Sequence, residues 1–137
     1  MNVQPETLEM LRQWVRKAEH DLEAARRIMA VDEGCPYDTA CFHCQQAVEK
    51  YLKALLTLLG IQAPYTHDLE KLAALVPAER QLSLSVTDLV AMNPYAVDVR
   101  YGDDWREPQR EDAIRSLELA EVVRKEVRGL LPDEALA

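Results

Sequence analysis

In the stretch CFHCQQAVEKYLKALLTLLG, residues 41 to 60, four polar side chains could do chemistry together: His43, Gln46, Lys50 and Lys53. Their positions step by three, four and three, so at about 100° per residue they share one narrow face of a helix. An imidazole, a carboxamide and two ammonium groups in one line are donors suited to a phosphate or an acidic partner, met in a cleft or a dimer seam. Gln45 and Glu49 flank the line. The same residues also read as a solvated helix face carrying a Glu49–Lys53 ion pair at i,i+4, worth about 0.3–0.5 kcal/mol. Spacing leaves both readings open, along with a third in which the polar strip only fixes the register of a dimer.

The stretch VRYGDDW places Arg100 and Tyr101 beside Gly102, after a break at Pro94. A loop there can carry a guanidinium and a phenol to the end of a helical bundle, or simply pair Arg100 with Asp98, Asp103 or Asp104. Cys41, His43, Cys44 and His67 are zinc-ligand types. On the helical wheel, however, Cys41 and Cys44 fall in the apolar arc while His43 points about 100° or more away, so no metal site and no Cys/His nucleophile pair is expected. Buried thiols acting as small apolar groups account for the pattern. His20 reads as a surface residue among charges, and THDL at 66–69 as a helix N-cap with an acidic first turn.

These residues need helices to hold them, and the apolar periodicity supplies five segments. The first runs from about Thr7, a potential cap, to Ala30, with Leu8, Leu11, Trp14, Val15, Ala18, Leu22, Ala25 and Ile28 on one side. Gly34 and Pro36 break it, and Asp38 caps a second helix that stops at Gly60. The apolar arc of that second helix is roughly 180° wide, which marks it as central in a bundle. A third, shorter helix is capped by Thr66 and ended by Pro77, a fourth starts near Ser85 and breaks at Pro94, and the last begins near Pro108 and runs to Gly129. Short connections between amphipathic helices predict an all-α, up-and-down bundle of four or five helices, dimerising through helix faces.

The chain of 137 residues is expected to form one domain, residues 1–137, with 48% hydrophobic and 29% charged residues and only four glycines. A net charge of −8 argues against a surface that grips long nucleic acid, though it leaves room for a small basic pocket. No apolar run reaches roughly 18 residues and no signal-peptide pattern opens the chain, so a cytoplasmic protein without membrane contact is expected. The three cysteines, odd in number and partly within a helix, point to reduced thiols.

Taken in order, WVRKAEHDLEAA, ACFHCQQAVEKYLKALL, THDL and NPYAVDVRYGDD resemble the HEPN domain, a small all-helical family of prokaryotes and higher eukaryotes. The resemblance covers Trp14 to Leu130, and its second segment is the most specific. It implies a homodimer, often encoded beside a minimal nucleotidyltransferase, that binds a nucleotide or similar phosphate-bearing ligand without a cofactor. In that role His43, Gln46, Lys50, Lys53, Arg100 and Tyr101 are the expected ligand-binding residues. Some relatives are ribonuclease toxins of toxin–antitoxin pairs, sharing an Arg followed after four to six residues by a His. Here Trp105 follows Arg100 after four residues and no His occurs beyond His67, so the expectation is a non-catalytic module. The alternative is a divergent ribonuclease toxin, the one case in which RNA would be a partner.

Overall fold

The computed structural model describes residues 2–31, 33–96 and 106–136. Apolar residues at steps of three and four drive the first helix, α1 (Pro5–Met29), which buries Leu11, Val15, Ala18, Leu22 and Ala25 along one stripe. It starts two residues ahead of Thr7, because Pro5 suits the first turn, where its missing N–H costs nothing. Arg26 and Arg27 lie in its last turn, where the helix dipole favours positive charge.

Helix α2 (Tyr37–Leu58) buries residues round more than half its circumference, including Cys44, Ala47, Val48, Tyr51, Leu52, Leu55 and Leu56. Such an arc needs neighbours on two sides, and α2 lies between α1 and the last long helix. Asp38 sits within the first turn instead of capping it, and its Oδ1 accepts from the Thr39 N–H at 2.9 Å. At the other end Gly60 adopts φ +72°, as expected of a left-handed stop. The Ile61 N–H reaches the Leu56 carbonyl at 2.9 Å and the Gly60 N–H that of Thr57 at 3.1 Å, closing a Schellman motif.

Two short helices follow, packed against each other and, through the first of them, against α2. Helix α3 (Leu69–Ala74) is capped by Asp68, whose Oδ1 accepts from the N–H groups of Glu70 at 3.0 Å and Lys71 at 3.3 Å. Thr66, the expected cap, stands two residues back and accepts from the Asp68 N–H at 3.1 Å, so it shapes the approach to the helix. Helix α4 (Val86–Met92) is capped by Ser85, and at Asn93–Pro94 it tightens into a single 3-10 turn, Asn93–Ala96. Asn93 ties these pieces together by accepting from the Leu69 N–H at 2.8 Å and donating to Asp68 at 2.9 Å.

Helix α5 (Arg110–Leu130) packs along α2 and runs the same way, Ser116 lying at Cys41 and Arg124 further on at the carboxylate that Tyr51 meets; its start is fixed by a capping box between Gln109 and Asp112. The expected start near Pro108 is thus displaced to Arg110, the first residue after the Gln109 cap, and Gly129 falls inside the last turn. Among the described residues the elements are all helical, and none is long and apolar enough to cross a membrane.

Cys41 and Cys44 are fully buried, Cys41 in a small cluster with Ala40 and Ala113. Burial pushes the Cys41 thiol up to about 11 and the Cys44 thiol to about 12. Neither forms thiolate near neutral pH, and the thiolate is the nucleophile. A thiol-reactive dye is therefore expected to modify Cys35 alone in the folded protein and all three cysteines in denaturant, read as labels per chain by intact mass. Labelling of Cys41 or Cys44 without denaturant would contradict this packing.

Candidate functional site

The polar strip of α2 is covered by neighbouring elements. Asp21 of α1, only 8% exposed, faces it from the opposite helix. Its Oδ1 meets the Nδ1 of His43 at 2.8 Å and its Oδ2 accepts from the Nζ of Lys50. One turn further along, Glu49, 3% exposed, repeats the arrangement. Its Oε1 meets the Nδ1 of His67 at 2.7 Å and its Oε2 accepts from the Nζ of Lys53 at 3.0 Å. The strip is thus built from two units of one kind, each an imidazole and an ammonium joined through a buried carboxylate.

The carboxylates dictate the state of the imidazoles. A carboxylate only accepts, so each Nδ1 carries a proton inward, and in the neutral ring it is Nε2 that keeps the lone pair. Among the described residues, neither Nε2 has a protein hydrogen-bond partner, and the His43 and His67 side chains are 28% and 56% exposed. Each ammonium has three donors and gives one to its carboxylate. The Lys53 ammonium also lies 5.6 Å from the centre of the Trp14 ring, and Lys17 lies 5.8 Å from it, within cation–π range.

Gln45 and Gln46 complete the arrangement. Gln45, fully buried, donates through Nε2 to the His67 carbonyl at 2.8 Å and so pins the connection between α2 and α3. Gln46 donates to the Gln45 side-chain oxygen at 2.8 Å and to Glu49 at 3.4 Å. The four residues in line, His43, Gln46, Lys50 and Lys53, therefore belong to one polar strip tied together by Asp21, Glu49 and Gln45. The Glu49–Lys53 pair expected at i,i+4 is present, but the solvated face around it is not: the two side chains are 4% and 12% exposed. Arg100 and Tyr101, and Trp105 with them, lie outside the described residues.

Asp21 and His67 are members that the spacing within α2 does not reveal. Asp21 had a signal in α1, since it falls between Ala18 and Ala25 at steps of three and four, a carboxylate on the apolar stripe. Such a residue is buried and must be paired. His67 had only its place in THDL, where Asp68 is the cap and His67 turns toward α2. His20, expected at the surface among charges, is exposed there.

A second polar cluster locks the bundle on its other side. The Tyr51 ring is fully buried, and its hydroxyl donates to Glu19 at 2.5 Å. Arg124 and Arg128 of α5 reach the same carboxylate at 2.8 Å and 3.0 Å. Burial raises the Glu19 carboxyl, but the Tyr51 hydroxyl and the two guanidiniums outweigh it and hold the group below its ordinary range. This cluster joins α1, α2 and α5 and leaves little of the carboxylate for a ligand.

The arrangement of α1 to α5, with a partly buried His–carboxylate–Lys strip along the central helix, defines an all-α bundle with a polar strip where α1 and α2 meet. The family model of the HEPN domain matches residues 11–130, and the chain belongs to that family. It is similar to the crystal structure of TT1696 from Thermus thermophilus, with 26% identity, a TM-score of 0.74 and coverage of 88% of this chain and 98% of that one. It is also similar to ST0689, an archaeal HEPN homologue, at 28% identity and a TM-score of 0.68, covering 88% and 96% of the two chains. A comparison with curated proteins gives no match.

Proposed function

We propose that the chain is a non-catalytic HEPN module, a homodimer that binds a nucleotide or similar phosphate-bearing ligand and acts with a minimal nucleotidyltransferase partner. The observation that carries the reading is the pair of mostly buried lysines, Lys50 and Lys53, fixed by Asp21 and Glu49 with two donors each to spare. Preorganised ammonium groups in a partly desolvated strip attract phosphate more strongly than mobile surface lysines do. His43 and Gln46 supply hydrogen bonds beside them, and Arg100 and Tyr101 are assigned to the same ligand from the sequence. A cytoplasmic setting goes with this role.

Binding is tested by calorimetry and thermal shift with ADP. A ligand at 100 times its Kd stabilises the folded state by about 2.7 kcal/mol, a readily measured rise in Tm. Lys50→Gln and Arg100→Gln are each expected to weaken ADP about tenfold or more. If no nucleotide raises the Tm or releases heat, the strip serves to tie α1 to α2 and the binding reading falls.

The ribonuclease alternative draws its support from the two imidazoles, each oriented by a buried carboxylate in the manner of a general base. It requires RNA cleavage that persists in EDTA and stops with Arg100→Ala. Intact RNA after incubation across varied sequences counts against it.

A further inference from the structure

The two units of the strip have a charge that protons can change. Lys50 against Asp21 and Lys53 against Glu49 leave no net charge while His43 and His67 are neutral. Protonating both imidazoles gives the strip two positive charges, and the acidic partners are already in place to hold them. His43 faces Asp21 from α1, with the Phe42 ring edge-on at 5.3 Å and Lys50 on the far side of the carboxylate. His67 faces Glu49 from α2, with the Tyr65 ring at 6.3 Å and Lys53 across the carboxylate. In both cases Nδ1 is committed to the carboxylate, so Nε2 is the atom that gains the proton and presents it outward.

Two added charges match a terminal phosphate, which carries about −1.5 to −2 near neutral pH, better than the single charge of a phosphodiester. We propose that the strip takes a terminal, dianionic phosphate and that His43 and His67 take up protons at Nε2 as it binds. This rests on the phosphate-binding reading above and narrows it: the preferred ligand is a nucleoside mono- or diphosphate end, and nucleic-acid backbone is disfavoured. Each proton taken up with the ligand makes binding weaken as pH rises, by up to about tenfold per pH unit for each proton.

The test is calorimetry of ADP at about pH 7.5 in buffers of different ionisation enthalpy, which counts the protons absorbed on binding, with cyclic AMP as the phosphodiester comparison. Net uptake, together with ADP binding at least about tenfold tighter than cyclic AMP, is the expected result. Uptake should vanish in the His43→Asn/His67→Asn double variant. Should that variant fail to fold, the imidazole resonances of the wild-type protein give the same answer, by titrating at higher pH when ADP is present. ADP binding without uptake, or binding no tighter than that of cyclic AMP, overturns this inference and leaves the phosphate-binding reading standing. No binding by either compound between about pH 6 and 8 overturns both.

Discussion

Replacing Glu49 with alanine is expected to destabilise the protein by about 3–5 kcal/mol, the cost of breaking a buried ion pair from one side. The carboxylate is 4% exposed and satisfies Lys53, His67 and Gln46 together. Without it the ammonium of Lys53, whose side chain is 12% exposed, keeps only the Trp14 ring as a partner. For a domain of this size the loss corresponds to a fall in Tm of about 10–15 °C. Removing both charges in a Glu49→Leu/Lys53→Met variant should recover part of the loss, because the uncompensated ammonium disappears with its partner. Denaturant titration of the single and double variants checks both statements. A loss below about 1 kcal/mol in Glu49→Ala would mean that solvent reaches the pair, as on an ordinary helix surface.

Glu19→Ala is expected to cost about 2–3 kcal/mol, since it strands the buried Tyr51 hydroxyl and leaves Arg124 and Arg128 without their shared acceptor. The same group sets a pH dependence. Its carboxyl is held below the ordinary value of 4.5 in the fold, so its contribution is complete above that value and is lost as pH falls through the lowered one. Wild-type Tm should therefore decline below about pH 4.5, and Glu19→Gln should show a shallower decline from a lower starting point. Equal slopes for the two proteins would show that Glu19 is not tied to its three donors.

The apolar period placed all five helices, because burial of Leu11, Val15, Ala18, Leu22 and Ala25, or of Cys44, Val48, Tyr51 and Leu55, is what makes those segments helical. Helix ends were less legible. Thr66 and Asp68 are both good caps two residues apart, and the choice falls to Asp68 through its bonds to Glu70, Lys71 and Asn93, the last a contact from the end of α4. The strip was legible as a line on α2 but not as a network. Spacing within one helix shows which residues share a face, while the partners that decide the meaning of that face, Asp21 and His67, come from other elements. The resemblance carried by ACFHCQQAVEKYLKALL and THDL did find the family, and it brought His67 into the quoted segments without giving it a role.

The central claim is that the α1–α2 strip receives a phosphate-bearing ligand, and amide and side-chain chemical-shift mapping by NMR with ADP tests it most directly. Saturable shifts centred on His43, Gln46, Lys50, Lys53 and His67 are expected, with Asp21 responding from the facing helix. Shifts confined to another surface, or none at millimolar ADP, would contradict it and leave the strip as the polar core that joins two helices.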